Sequence, residues 1–428
     1  MQPNEFKITK LTITGNPVVG DLNLDFTKQD GTPYSNIVFA GENGVGKTTI
    51  LTMIDSLLTS YKQINNKDTS AQQIPNVLGG NICAKIKNIT TGVEYDITNG
   101  QGIVSLRDNK AITQPESIYA LNLVPFTLAH RDVIKEKVQT TIDTIFRQEQ
   151  AAAYSNMLLH IDDLSVDHVK QESILVRLLT FLRETFNLRL APRSATPSGN
   201  SPKIEIINRD TKKPFSINDL SSGEREILFR ALYVLDSTVG KPCNFILIDE
   251  PELSLHPKWQ EKILKAYKSL ITVNRKQEIQ LFSATHSDHV LKSAIEDDDT
   301  LIIKLERGKQ PEKIFKNCGG EILPRITLSE IKWRMFDIET LDFHIELFGA
   351  LQNREQKNVG ALDTWLSGKP NVPQLKNLVP VMFNNHTDLT LPTYIRNHIS
   401  HPNGGRNESC LNRLRESIAF MAELLRNP

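Results

Sequence analysis

Residues 37–58 read IVFAGENGVGKTTILTMIDSLL. Ile37 to Ala40 is apolar enough for a buried strand, it ends in a glycine-rich turn, and Thr49 to Leu58 continues as a helical stretch. Between them, Gly41-Glu42-Asn43-Gly44-Val45-Gly46-Lys47-Thr48 fits GxxxxGK[ST] in the strand-to-helix context that gives this pattern its meaning. Glycines let backbone amides curl around phosphate oxygens, Lys47 puts a charge on the β and γ phosphates, and the Thr48 hydroxyl is suited to Mg²⁺. Gly41, Asn43, Gly44, Gly46, Lys47, Thr48 and Thr49 are therefore the expected phosphate-loop residues.

Further along, Asn244-Phe245-Ile246-Leu247-Ile248-Asp249-Glu250 is an apolar run ending in two carboxylates. Alone it is a weak signal, but Pro251-Glu252-Leu253-Ser254-Leu255-His256-Pro257 follows it. Upstream lies Leu220-Ser221-Ser222-Gly223-Glu224, leading into the helical run Arg225 to Leu235. Ser221 or Ser222 can cap that helix, and Gly223 lets its amide approach a phosphate. Downstream, the strand-like Ile279 to Phe282 enters Ser283-Ala284-Thr285-His286-Ser287.

This ordered set resembles the ABC ATPase superfamily: a P-loop, a signature, a Walker B pair, a D-loop and a switch-histidine loop. The resemblance implies ATP and Mg²⁺ as ligands, with Thr48 and Asp249 serving the metal, Asp249 partly through water. It implies Glu250 as general base and His286 as the contact to the γ-phosphate. It also implies a head-to-tail homodimer or higher homo-oligomer, in which Ser221, Ser222, Gly223 and Glu224 of one subunit close over ATP held by another. Gln101 and Gln114 are both candidates for the Q-loop glutamine.

The expected fold is α/β: an ABC ATPase head over residues 1–325 with a mostly α-helical C-terminal domain over 326–428. Phe6 to Ile13 and Gly20 to Phe26 alternate as half-buried strands do. Ile82 to Ile86, Val93 to Ile97 and Ile103 to Leu106, separated by Thr91-Gly92 and Asn99-Gly100, predict a small antiparallel sheet. Ile174, Leu175, Leu178, Leu179 and Leu182 line one face of a helical insert placed at about 133–190. APRSATPSGNSP (191–202) reads as a loop, and Lys203 to Asn208 as a strand. From Ser329 the pattern is mostly helical.

Lys+Arg and Asp+Glu both number 50, so a nucleic acid would have to meet a local basic patch rather than a global field. The four cysteines, Cys83, Cys243, Cys318 and Cys410, are scattered without CxxC spacing, and the start MQPNEFKITK has no secretory pattern. Reduced thiols, a cytoplasmic location and no membrane partner are expected; the apolar runs fall far short of the roughly 20 residues that span a bilayer.

DEPELSLHP (249–257) and the helical insert resemble the SMC, OLD and bacterial defence ATPases more than transporter heads. The opening Ile13 to Phe26, GENGVGKTT and SSGEREILFRALYVLD are most similar to the ATPases of Septu anti-phage systems. That likeness implies a partner nuclease of HNH type, with nucleic acid met directly or through it. OLD proteins carry a Toprim nuclease, but no strand-Glu-Gly with a following Asp-x-Asp strand occurs, and Glu296-Asp297-Asp298-Asp299 reads as a solvated loop. Near the end, Arg396-Asn397-His398-Ile399-Ser400-His401 fits the R-x4-H pattern of HEPN ribonucleases. Arg396 would then stabilise a phosphorane-like transition state and His401 act as acid or base; the simpler alternative is a structural turn closed by Pro402-Asn403-Gly404-Gly405. Three functions compete: an ATPase that licenses a separate nuclease, a self-contained ATPase and ribonuclease, and an SMC-like DNA-repair ATPase.

Overall fold

The computed structural model describes residues 6–65, 79–98, 104–105, 110–111, 123–126, 174–192, 204–215, 221–238, 245–253, 255–273, 276–277, 279–315, 321–383 and 385–427. Gln101, Gln114, Leu220, Cys243, Cys318, most of the loop 191–202 and the insert before residue 174 lie outside them. The chain divides into two compact units, Met1–Lys316 and Asn317–Pro428. Among the described residues no helix is long and apolar enough to cross a membrane.

Unit 1 begins with β1 (Phe6–Asn16), β2 (Gly20–Asp25), β3 (Asn36–Ala40), α1 (Lys47–Asn65), β4 (Asn81–Asn88), β5 (Glu94–Thr98), β6 (Val104–Ser105), β7 (Lys110–Ala111) and β8 (Leu123–Phe126). Next come α2 (Ile174–Phe186), β9 (Leu188–Pro192), β10 (Ile204–Asn208), β11 (Pro214–Phe215), α3 (Ser222–Thr238), β12 (Phe245–Asp249) and α4 (Pro257–Ile271). It ends with β13 (Thr272–Val273), β14 (Lys276–Gln277), β15 (Gln280–Thr285), α5 (Asp288–Ile295), β16 (Thr300–Lys304) and β17 (Glu312–Ile314).

The central sheet has six strands in the order β17-β16-β3-β15-β12-β8, all neighbours parallel except the antiparallel edge β17. β3, β12, β15 and β16 are buried on both faces, and side-chain alternation distributes them between two cores. Phe245 and Leu247 of β12, with Phe282 and Ala284 of β15, join a core with β1, β4 and α1. Ile246, Ile248 and Leu281 join another with α2, α3, α4 and α5. This is an α/β architecture built on a mixed sheet, as expected from the sequence.

The second large sheet, β2-β1-β4-β5-β6-β7, is antiparallel. The small sheet expected over residues 82–107 is thus one with the N-terminal strands. Gln280, fully buried at the start of β15, ties this sheet to the central one: its Oε1 accepts from Ile8 N (2.7 Å), while Nε2 donates to Ile8 O (3.0 Å) and Tyr34 O (2.9 Å). The helical pattern of the insert ends at Asn187. Its φ of +54° is left-handed, so α2 stops at Phe186 and Leu188–Pro192 pairs with β10 instead. The Glu296 to Asp299 run is also more than a solvated loop: Asp297 holds Lys268 (2.8 Å) and Thr300 Oγ1 (2.7 Å), and Asp299 holds Lys28 (2.7 Å).

Unit 2 contains α6 (Leu328–Phe336), α7 (Leu341–Glu355), α8 (Val359–Ser367), a hairpin of β18 (Met382–Phe383) and β19 (His386–Thr387), α9 (Leu391–Ser400) and α10 (Leu414–Arg426). Thr327, Thr340 and Asn358 cap the first three helices by accepting amide bonds, as short polar side chains do at such starts. Phe343, Leu347, Leu351, Tyr394, Ile418 and Met421 lie in its core, together with Ile322 and Leu323 from before α6.

Candidate active site

Register decides which chemical groups meet. β15 lies between β3 and β12, with Thr285 opposite Ala40 and Ala284 opposite Asp249. The carboxyl ends of the three strands therefore deliver the phosphate loop, the carboxylate pair and His286 side by side, where open α/β sheets bind ligands.

The phosphate loop is held by backbone forms that only glycine takes without strain. Gly41 has φ +149°, and a Cβ there would lie 2.4 Å from the Leu305 carbonyl oxygen. Gly46 has φ +100°, and its missing Cβ leaves room for Val19, whose Cγ1 would be only 2.1 Å away. The tip of the β1–β2 hairpin, tied by Asn16 Oδ1 accepting from Val18 N and Val19 N, thus packs onto the loop. Asn43 and Gly44 are exposed, and Thr49 is half-buried in the first turn of α1. Lys47 Nζ donates to the carbonyl oxygens of Gly41 and Glu42, both at 2.8 Å. Burial lowers this ammonium below the ordinary lysine value, against the pull of Glu250, Asp249 and Glu252.

Thr48 Oγ1 donates to Asp249 Oδ2 at 2.8 Å. Burial raises the Asp249 carboxyl above the ordinary value; the Thr48 bond opposes this and the neighbouring Glu250 charge adds to it. Asp249 Oδ1 is buried and has no hydrogen-bond partner among the described residues. A hydroxyl and a carboxylate with an unmet oxygen fit Mg²⁺, a hard cation that usually takes one or two protein oxygens and leaves its other positions to water and phosphate.

Glu250 sits just past β12 with φ +48°, a conformation that costs a non-glycine residue roughly 1–2 kcal/mol. Its N–H donates to Ala284 O (2.9 Å), and its carbonyl accepts from Arg230 Nη1 of α3 (3.2 Å) and Leu253 N (3.1 Å). The side chain is thereby turned to His286, whose Nδ1 lies 3.4 Å from Glu250 Oε1 and 3.5 Å from Glu252 Oε1. Glu250 and His286 are 37% and 44% exposed and open to solvent, whereas Glu252 at 4% is sealed from it. Of the two glutamates only Glu250 can meet a water molecule.

The expected signature residues form the start of α3. Ser221 and Glu224 make a capping box: Ser221 N and Oγ donate to Glu224 Oε2 (2.9 and 2.7 Å), and Glu224 N donates back to Ser221 Oγ (3.3 Å). Ser221 is therefore the cap, Ser222 opens the helix and Gly223 is buried. These bonds are internal to the cap, so the signature and the phosphate loop of one chain are not joined through them.

Arg396 and His401 belong to unit 2, on α9 and at its C-cap. Arg396 Nη1 donates to Asn397 Oδ1 (3.0 Å), and exposed His401 donates its amide to Asn397 O (2.9 Å). Sequence reasoning assigned no role to Arg230, which holds the Glu250 carbonyl, or to Glu252 and Gln260, which bond the loop around His286. The second glutamate of DEPE was the visible signal for Glu252; Gln260 has none.

Residues 127–291 match the AAA ATPase domain family, a segment that starts after the phosphate loop and includes Ser221, Asp249, Glu250 and His286. The retron Vc95 probable ATPase of Vibrio cholerae serotype O1 biovar El Tor is 23% identical over 187 residues, covering 42% of this chain and 35% of that protein. The Septu protein PtuA of Bacillus mycoides (strain KBAB4) is 23% identical over 318 residues, covering 70% of this chain and 41% of that protein. The chain thus spans less than half the length of either relative. Among solved structures, the Smc head bound to the C-winged helix domain of ScpA aligns with a TM-score of 0.43 at 18% identity, over 72% of this chain and 98% of that one. Residues 127–291 thus match an ATPase domain family, and the chain is similar to a probable retron ATPase and to a Septu protein.

Proposed function

We propose that unit 1 binds ATP with Mg²⁺ and hydrolyses it, and that the protein is the ATPase of an anti-phage defence system, licensing a partner nuclease. The observation that carries the catalytic part is the convergence of Thr48 with Asp249 and of Glu250 with His286 at neighbouring strand ends. On binding, Lys47 exchanges the Gly41 and Glu42 carbonyls for the β and γ phosphates, and the loop amides take the remaining phosphate oxygens. Mg²⁺, when bound, neutralises charge on those oxygens. Glu250 accepts a proton from the attacking water, and His286 holds the γ-phosphate side of the same space. Ser222 and Gly223 of a second copy complete the site, so the working unit is a head-to-tail homodimer or larger. Similarity to the probable retron ATPase and the Septu protein supports the defence setting, and through it a partner nuclease of HNH type.

Radiolabelled ATP binding and turnover test the catalytic part. Lys47→Ala should lose nucleotide, whereas Glu250→Gln should retain ATP and stop hydrolysis; undiminished turnover in Glu250→Gln removes the assigned base. Mixing Lys47→Ala with Ser222→Arg protein should restore turnover in mixed dimers, and stable but inactive mixed dimers reject the shared site. Co-purification of the native operon reads the partner.

A second reading attaches to α9: an R-x4-H ribonuclease in which Arg396 stabilises transition-state charge and His401 moves the proton. The exposed position of His401 at the helix end favours it.

A further inference from the structure

We propose that Glu252 and Gln260 are positioning residues for hydrolysis, fastening the loop that carries His286 to the segment following β12. The proposal rests on the ATPase reading of unit 1. Glu252 Oε1 accepts from Thr285 Oγ1 (2.6 Å) and from the His286 backbone amide (3.0 Å). Gln260, in the first turn of α4, donates from Nε2 to Leu255 O (2.9 Å) and accepts at Oε1 from Ser287 Oγ (2.6 Å). Ser287 Oγ in turn accepts from Val290 N (3.3 Å) as the cap of α5. His286 is thus bracketed, held at residues 285 and 286 by one side chain and at 287 by the other.

Both brackets start from residues 251–260, which follow the carboxylate pair directly. Any shift of that segment is passed to His286. The chemistry of Glu252 argues against simple filling of space: a carboxylate 4% exposed, with Oε2 buried and without a hydrogen-bond partner among the described residues, is costly beside an apolar residue of similar size. Its burial also keeps it from the reacting atoms, so it acts through His286 and not on the nucleotide.

The test uses the full chain with steady-state ATP hydrolysis by wild type, Glu252→Ala, Glu252→Gln, His286→Ala and the double variant Glu252→Ala/His286→Ala. Glu252→Ala should lower kcat about 10- to 100-fold with KM within about threefold, because ground-state binding is untouched. Glu252→Gln keeps an oxygen for both donors and should recover most of the loss. In the His286→Ala background, removing Glu252 should cost less than about a further twofold, the signature of residues acting as one unit. Additive losses, an unaltered kcat in Glu252→Ala, or equal damage from Gln and Ala would overturn the proposal. If Glu252→Ala does not fold, Gln260→Ala must show the same split of kcat from KM, and its absence counts against the clamp. Amide hydrogen exchange at His286 and Ser287 gives a reading independent of turnover: it should quicken at least about tenfold in Glu252→Ala, or in Gln260→Ala, relative to amides of α1. If wild type does not hydrolyse ATP, the ATPase reading falls and exchange alone judges the clamp; unchanged exchange then rejects it.

Discussion

Nδ1 of His286 lies 3.4 Å from Oε1 of Glu250, although the two residues follow different strands of the central sheet. The pairing of Asp249 with Ala284 across β12 and β15 puts each residue just beyond the aligned strand ends. In the proposed hydrolysis, Glu250 as base and His286 as imidazole would act mainly as charge develops, not when ATP first binds. His286→Ala should therefore reduce kcat by about 100-fold and leave KM for ATP within a few-fold, measured by steady-state kinetics. A rise in KM with kcat retained would make His286 a ground-state contact instead.

Gly41 and Gly46 separate two kinds of constraint. At Gly46 an added methyl meets the Val19 side chain, which can be shortened, so Gly46→Ala combined with Val19→Ala should recover part of the ATP affinity lost in the single variant. What stays lost is backbone strain at φ +100°, on the order of 1–2 kcal/mol. At Gly41 the obstacle is the Leu305 carbonyl, part of the backbone, and no side-chain change should rescue Gly41→Ala. Isothermal titration with ATP measures both; full recovery in the Gly46→Ala/Val19→Ala protein would show that sterics alone required glycine there.

Much of this site could be read from the sequence because its signals are local. Ile37 to Thr48 carry strand, turn and helix start within a dozen positions, and Ser221 with Glu224 announce a helix cap at the spacing where one helical turn brings them together. Contacts between distant residues could not be read. Gln280 looks like any polar residue at a strand end, yet it joins β1 to β15 across 272 positions. The bonds of Glu252 and Gln260 depend on where β15 lies relative to β12, which register sets and composition does not. The strand Leu188–Pro192 could not be read either, since so short a run becomes a strand only through its pairing with β10.

His344 makes unit 2 sensitive to acid. It is fully buried between α7 and α10, its Nε2 lies 3.0 Å from Ser417 Oγ, and burial lowers its pKa from 6.5 to about 3. The unfolded chain therefore binds this proton near pH 6.5 and the folded chain only near pH 3. Between those values the unfolded state holds more protons, so the stability present above pH 6.5 is lost as pH falls through the window. The slope reaches about 1.4 kcal/mol per pH unit. Urea denaturation followed through α7 and α10 should show this slope in wild type and a flatter one in His344→Gln, which removes the titration and keeps a partner for Ser417. Equal slopes would assign the acid sensitivity to another group.

The C-terminal unit separates a ribonuclease from a docking platform, because its two motif residues are held differently. Arg396 bonds Asn397 Oδ1, Asn397 Nδ2 donates to Asp388 Oδ1 (2.8 Å), and Asp388 pairs with Arg406 (2.7 Å), both of these side chains fully buried. Arg396→Ala thus disturbs a fixed polar network and confounds folding with chemistry. His401 is exposed at the C-cap, so His401→Ala should disturb the fold less than Arg396→Ala. If α9 belongs to a ribonuclease, that substitution should abolish RNA cleavage and cellular toxicity while ATP turnover persists, since it removes a proton-transfer group and leaves the fold intact. If unit 2 docks a nuclease, His401→Ala should be silent and removal of residues 317–428 should release the partner. The cut belongs at 317 rather than 325, because Ile322 and Leu323 are part of the core of unit 2 and would be left stranded on the head. Phage protection and nuclease recruitment that survive this removal, with the head still binding ATP, would exclude both roles for the unit.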